Sequence, residues 1–415
     1  MTRLSKYTNI LLIFQATYPS LRVKIKASIG VSREKDCTQA AKEAINQAKA
    51  NMPYKKFDLA FVFASIDLCY PSLLKTITAE LEHVPLIGAS GAAVITNLGI
   101  LRHGVAVLLL NLPEKIFFNI GCVRDINTKT PLSAGEELGA KLLYGLKNVS
   151  RDLGVVFSDG LIKDNHALMR GLQEKLGASF PLVGASASDN LRFLKTCVFF
   201  NQEMLSDAAA GILWGGKLNF GLGTRHGWKP LGKPRMVTKS YNNAVYTIDG
   251  LPAAKVYEEY LGRDFNELKK ELKHITTLYP IGIFLFEEEY LLRNIVAIEE
   301  DGVLVFQGDV PQGSQIRLMI ATKESCLLAT RQALAETNVK VKHPDFLLVF
   351  NSISRYILLG RDASKELQII KNSIPADTPF VGVYTYGEQA PLKAINYQGK
   401  VYFHDQTITI LSIGE

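Results

Sequence analysis

Asp152-Leu153-Gly154-Val155-Val156-Phe157-Ser158-Asp159, then a stretch from about Asn165 to Leu176, then Pro181-Leu182-Val183-Gly184-Ala185-Ser186: the reading of this segment decides the fold. The first run is short and apolar and ends in small or polar residues. That is the pattern of a strand buried on both faces that hands over to a loop. The middle stretch has the length of a helix. The last run opens on Pro, which is tolerated at the first residue of a strand, and reaches Gly, which permits close backbone approach or a positive φ. The segment therefore predicts a βαβ crossover of about 30 residues joining two parallel strands.

The same grammar occurs twice more. Upstream, Phe57 to Phe63 is followed by a helix around Pro71 to Glu82 and by Pro85-Leu86-Ile87-Gly88-Ala89-Ser90. Downstream, Asp345 to Asn351 is followed by a helix around Ala363 to Lys371 and by Pro379-Phe380-Val381-Gly382-Val383-Tyr384. The steps Phe63 to Gly88, Phe157 to Gly184 and Phe350 to Gly382 are 25, 27 and 32 residues. Such recurrence places Val62, Val156 and Val349 on central strands. Late strands follow at Gly104 to Leu110, Ala208 to Leu213 and Gln406 to Ile413, with hairpin strands at Val198 to Phe200 and Val401 to Phe403. Asp36 predicts a helix cap, Gly262 a helix end, and Lys323 to Glu336 a further helix. Leu231-Gly232-Lys233-Pro234-Arg235 reads as a linker by its punctuation.

The chain has 415 residues, 47% apolar and 21% charged, an ordinary globular composition with room for two or three domains. Its longest apolar run, Val105 to Leu110, is far below the ~20 residues of a membrane helix. The net charge of +7 is scattered, so neither a nucleic-acid surface nor a membrane surface is expected. Five cysteines without a CxxC fit a reducing, cytoplasmic compartment. Arg3, Lys6 and Ile10 to Phe14 resemble the start of an export signal but lack a cleavage site, so residues 1–22 read as an N-terminal extension.

Several motifs nearly match and fail. Gly211 to Lys217 has P-loop spacing, but Leu218 stands where a hydroxyl must hold Mg²⁺. Gly221 to Gly227 has one residue too many for a dinucleotide fingerprint. Gly88 to Ala92 and Gly184 to Ser188 resemble nucleophile elbows without the final Gly. No histidine pairing suggests a metal site, and no cofactor is expected.

Two stretches carry a family resemblance. Gly184 to Phe193, with Asp189-Asn190-Leu191-Arg192-Phe193 at its end, resembles the N-terminal domain of the FIST family (F-box and intracellular signal transduction proteins). Pro379 to Pro391, with Tyr384-Thr385-Tyr386-Gly387-Glu388, followed by Phe403-His404-Asp405-Gln406-Thr407, resembles its C-terminal domain. The resemblance implies an α/β fold of two related lobes, with mixed, partly parallel sheets built from repeated βαβ units plus hairpins. It divides the chain into FIST domains over 23–235 and 236–415, without an F-box. It further implies an intracellular sensory protein that binds a small molecule such as an amino acid. Ser352 stands where relatives often carry a cysteine, which removes any role of that thiol, and Asp405 stands where they usually carry Asn.

In α/β sheets ligands bind beyond the carboxyl ends of parallel strands. The candidate ligand-binding residues there are Asp189, Asn190, Arg192, Asn351, Ser352, Arg355, Tyr384, Tyr386, Gly387 and Glu388. Arginine suits a carboxylate, and Asp189 or Glu388 suits an ammonium group, so a polar pocket for a zwitterion is expected. Arg192 beside Asp189 is equally readable as a structural ion pair, and either tyrosine as core. The expected function is ligand sensing without catalysis, with a small-molecule ligand and a signalling protein as partners. The alternatives are a protein-interaction scaffold, or an enzyme using Glu388 and His404 as acid and base.

Overall fold

The computed structural model describes residues 24–52, 56–68, 70–391 and 400–415. The extension expected over 1–22 lies outside the described residues.

The recurring grammar belongs to a larger repeat: strand, helix, strand, helix, strand, hairpin, strand. The first repeat comprises β1 (Lys26–Ser32), α1 (Cys37–Ala50), β2 (Leu59–Ser65), α2 (Pro71–Glu80), β3 (Leu86–Gly91), the hairpin β4 (Val94–Thr96) and β5 (Gly99–Leu101), and β6 (Val105–Asn111). The second comprises β7 (Phe117–Val123), α3 (Pro131–Tyr144), β8 (Arg151–Ser158), α4 (Asn165–Leu176), β9 (Leu182–Ser186), the hairpin β10 (Val198–Phe200) and β11 (Glu203–Leu205), and β12 (Ala209–Gly215). The third opens with β13 (Phe220–Arg225) and is then interrupted by an inserted module.

The module contains β14 (Lys229–Tyr241), β15 (Ala244–Ile248), β16 (Leu251–Pro252), α5 (Lys255–Leu261), α6 (Phe265–Lys270), α7 (Leu272–Leu278), β17 (Ile281–Phe286), β18 (Glu289–Arg293), β19 (Ile295–Ile298), β20 (Leu304–Phe306) and β21 (Gln315–Ile320). The third repeat resumes with α8 (Lys323–Lys340), β22 (Pro344–Ser352), α9 (Ile353–Leu359), α10 (Ala363–Asn372), β23 (Phe380–Thr385), the hairpin β24 (Gly387–Pro391) and β25 (Val401–His404), and β26 (Ile408–Gly414). The segment expected as a linker is part of β14. Gly232 takes a positive φ of 68° and the ladder shifts register between Leu231 and Arg235, so the Gly/Pro cluster makes a bulge within a strand.

Each repeat forms a mixed sheet around its parallel pair: β2 with β3, β8 with β9, and β22 with β23. Val62 pairs with Gly88, Val156 with Gly184 and Val349 with Gly382. A Cβ on these glycines would lie 1.7, 1.9 and 1.7 Å from the paired valine's carbonyl oxygen. Glycine is therefore there for close strand approach, three times over, and not for a positive φ.

The sheets are completed by exchange. Hairpin β4–β5 joins β23, hairpin β10–β11 joins β3, and hairpin β24–β25 joins β9. Every repeat thus donates a hairpin to another repeat's sheet, and the two halves of the chain interlock. The residues after the three central valines, Phe63, Phe157 and Phe350, meet edge-on with centroids 5.4, 5.6 and 6.5 Å apart. They are fully buried and centre a core shared by all three sheets. Burying such rings is the main favourable term.

Helices pack outside the sheets and start where expected. Asp36 accepts from the Gln39 N–H (2.8 Å), and Asp164 from that of Ala167 (2.8 Å). Gly262 ends α5 in the left-handed region. Among the described residues no helix is long and apolar enough to cross a membrane.

Candidate functional site

The carboxyl ends of β9, β22 and β23 open on the side that the inserted module covers. A cleft of about 350 Å³ lies there, lined by Leu191 and Phe193 after β9, by Leu272, Thr276 and Asn294 to Val296 of the module, and by Ser352 to Ser354 and Tyr386 of the third repeat. The cleft is mostly apolar, where a polar one was expected.

One wall is built by a single carboxylate. Asp189 is 2% exposed and accepts from four backbone N–H groups: Arg192 (2.9 Å) and Phe193 (3.0 Å) on Oδ1, Leu194 (2.9 Å) and Lys195 (3.2 Å) on Oδ2. Leu191 and Phe193 take left-handed φ angles of 57° and 53°, a conformation that non-glycine residues adopt only when held. The Tyr386 hydroxyl also donates to Asp189 Oδ1. Burial alone would raise the Asp189 carboxyl, but the phenol and the backbone N–H groups hold it below the usual carboxylate range. The stapled loop lays Phe193 flat on Tyr386, with centroids 4.6 Å apart and planes 14° apart.

The other expected residues divide. Ser352 and Tyr386 line the cleft. Ser352 caps α9 by accepting from the Ser354 N–H (3.3 Å). Asn190 and Arg192 are exposed, and Arg192 reaches Asp189 through its backbone N–H, so the expected carboxylate–guanidinium pair is replaced by a loop staple. Arg355 is fully buried away from the cleft. Its guanidinium donates to Asn351 Oδ1 (3.0 Å), Glu366 Oε1 (2.5 Å), Thr330 Oγ1 (2.9 Å) and the carbonyls of His226 (2.5 Å) and Cys326 (2.9 Å). Asn351 Nδ2 completes the network on Glu366 (2.5 Å). Every nitrogen of the guanidinium is thus engaged by buried acceptors, so Arg355 and Asn351 brace the third repeat.

Tyr384 is core, tilted on Tyr356 at 4.4 Å. Gly387 sits in β24, where a Cβ would lie 2.2 Å from the Phe403 ring. Glu388 is fully buried and accepts from Thr385 Oγ1 (2.5 Å), Thr407 Oγ1 (2.7 Å) and the Thr407 N–H (3.1 Å). Burial pushes its carboxyl up to about 8, against the pull of those donors. His404 Nε2 bonds the Ala390 carbonyl (3.0 Å), and burial lowers its pKa to about 4.

Sequence reasoning missed the module's contribution: Leu272, Thr276, Asn294, Val296 and Gln307. It carried no signal, because the module lies outside the repeat. Leu191 and Phe193 were within reach. They are the apolar residues of the Asp-Asn-Leu-Arg-Phe segment, whose charged members drew the attention instead.

Comparison with known proteins adds the following. An uncharacterized protein of Methanocaldococcus jannaschii is 28% identical over 262 residues, covering 57% of this chain and 49% of that protein. The chain thus spans about half the length of the curated relative it matches. Among solved structures, cyanuric acid hydrolase from A. caulinodans is 7% identical with a TM-score of 0.37, covering 94% of this chain and 100% of that one. A chorismatase is 8% identical with a TM-score of 0.32, covering 95% and 100%. Both likenesses are too faint to carry any conclusion. The FIST N domain model matches residues 58–251 and the FIST C domain model residues 253–391, the two meeting within the inserted module. With both domains matched in order over most of its length, the chain belongs to the FIST family, whose domains are of sensory type.

Proposed function

We propose that this protein is a sensor whose ligand, a small metabolite, sits in the cleft between the stapled loop, the inserted module and the third repeat. The observation that carries this reading is the built wall: Asp189 holds two non-glycine residues in left-handed conformations so that Phe193 meets Tyr386 at the cleft's edge. Strain maintained by a dedicated carboxylate marks a site more than a packing accident does. Apolar walls with a few polar groups are the usual make-up of a small-molecule site. The ligand class that fits is a metabolite with an apolar body and one polar end. The zwitterion reading loses its support, because Arg192, Arg355 and Glu388 do not converge on the cleft.

The binding role is favoured over the enzymatic one by where the acid and base candidates lie. Glu388 and His404 are buried on Thr385, Thr407 and the Ala390 carbonyl, out of a substrate's reach. The signal would pass to a signalling protein through the loop surface, where Phe193 and Leu194 are 50% and 78% exposed.

The test is a thermal-shift screen of small metabolites against the wild type and Val296→Trp. Val296 is 51% exposed at the cleft, so the indole fills the space without entering the core. A hit present at 100 times its Kd is expected to stabilise the wild type by ~2.7 kcal/mol and to leave the variant unchanged. Hits that stabilise both proteins equally would place the site elsewhere.

A further inference from the structure

Asn294 and Gln307 both line the cleft, and their neighbours fix which end of each side-chain amide is left free. Gln406 Nε2 donates to the Thr276 carbonyl (2.7 Å) and to Asn294 Oδ1 (2.5 Å). The group bonded to a carbonyl must be the NH₂, so Asn294 meets it with its oxygen and keeps Nδ2 as a free donor. Gln307 Nε2 donates to the Tyr386 carbonyl (3.1 Å), which leaves its Oε1 as a free acceptor. Neither Asn294 Nδ2 nor Gln307 Oε1 has a hydrogen-bond partner among the described residues, and neither atom is sealed in the interior.

The two side chains are neighbours by register. The Gln307 N–H donates to the Asn294 carbonyl (2.8 Å), which extends the β19–β20 ladder by one pair beyond Ile295 and Phe306. Directly opposed residues of a ladder share a face, with Cβ atoms about 4.5–5.5 Å apart. A donor and an acceptor therefore stand side by side on one wall of the cleft. Among the described residues that line it, none is charged. An ion entering such a cleft gives up water without gaining a charged partner, which costs far more than desolvating a neutral group. The walls around Leu191, Phe193, Ile295 and Val296 suit an apolar body.

We propose that the cleft takes an uncharged ligand with a C=O and an N–H on one edge, a primary carboxamide or a lactam, joined to an apolar body. The ligand carbonyl accepts from Asn294 Nδ2, and the ligand N–H donates to Gln307 Oε1. This rests on the reading of the cleft as the sensory site and narrows it. A carboxylate of the same shape sets an anion against Gln307 Oε1, and an ammonium group leaves Asn294 Nδ2 without an acceptor. An open-chain secondary amide is trans, with its C=O and N–H on opposite edges, so it meets only one of the two residues.

Calorimetry with naphthylacetamide, its N,N-dimethyl derivative, naphthylacetate and naphthylethylamine tests this on the wild type, Asn294→Asp and Val296→Trp. The primary amide is expected to bind the wild type about 10-fold or more tightly than the other three, because each of them leaves a polar group of the site unpaired. Asn294→Asp keeps an oxygen for Gln406 and turns the free donor into an acceptor. It is expected to weaken the primary amide about 10-fold or more, and Val296→Trp to abolish its binding. Should Asn294→Asp fail to fold, the selectivity among the four probes and its loss in Val296→Trp decide the matter. Acid, amine or dimethylamide binding as tightly as the primary amide, and lost in Val296→Trp, would overturn the amide edge while leaving the cleft as the sensory site. Unchanged amide binding in a folded Asn294→Asp would do the same. Amide binding that survives Val296→Trp would overturn this assignment, as would no binding by any of the four probes. The sensory reading itself fails only if the hits of the metabolite screen also ignore Val296→Trp.

Discussion

Arg355 illustrates what a charged residue just past a strand can be. From the sequence it belongs with the ligand-binding group, because the carboxyl end of β22 is where an α/β sheet places its ligands. In the structure Glu366, on the next helix, closes on it, and both side chains are buried. Removing one partner of a buried pair leaves the other charge uncompensated. Arg355→Ala is therefore expected to destabilise the protein by about 3–5 kcal/mol. Arg355→Met combined with Glu366→Leu should recover most of that loss, measured by denaturant titration. A stable Arg355→Ala variant that loses ligand binding would return Arg355 to the site.

Glu388 makes a second residue-scale case, with a sign fixed by its environment. Burial raises its carboxyl from 4.5 to about 8. Between these values the folded state binds the proton and the unfolded state does not. The contribution to stability is thus full below about 4.5 and is lost as pH rises through about 8. Melting curves from pH 5 to pH 9 are expected to show a steeper fall for the wild type than for Glu388→Gln, which stays neutral and can still pair with Thr385 and Thr407. Parallel curves would mean that Glu388 is ionised throughout.

At the scale of elements, the loop after β9 shows how one side chain sets a wall. Deleting the Asp189 carboxylate removes the acceptor for four backbone N–H groups and the Tyr386 hydroxyl. Asp189→Ala is expected to cost about 2–4 kcal/mol and to speed amide exchange across residues 190–195 while the sheets stay protected. Unaltered exchange there would show that the loop holds itself. The strands, crossovers and glycines of the three repeats were legible in the sequence, because a strand buried on both faces and a close backbone approach each impose a local composition. The cleft was only half legible. Its Ser352 and Tyr386 follow from strand ends, but its floor comes from α7 and β19, and nothing local in the Leu272 to Val296 stretch says which repeat it will cover. Leu231 to Arg235 failed as a linker for a related reason, since glycine and proline punctuate a bulge as readily as a break.

At the scale of the molecule, the exchange of hairpins governs cooperativity. The second sheet needs β24 and β25 from the end of the chain, and the third needs β4 and β5 from its beginning. A fragment covering residues 24–228 would leave β9 with an unpaired edge, and hairpin β4–β5 without its sheet. Such a fragment is expected to show no cooperative melt and to bind apolar dyes, whereas the full chain melts with its core as one unit. A sharply melting fragment would argue that the halves fold on their own. Nothing in the periodicity announces the exchange, because pairing between distant hairpins is settled by the shared core around Phe63, Phe157 and Phe350.

The cleft as the sensory site is tested most directly by hydrogen–deuterium exchange on the full chain, with and without a stabilising hit from the metabolite screen. Slower exchange is expected in three stretches, 190–195, 272–278 and 294–296, with the strands of the first repeat unchanged. Protection confined to the first repeat, or none at those three stretches despite a shift in Tm, would contradict it.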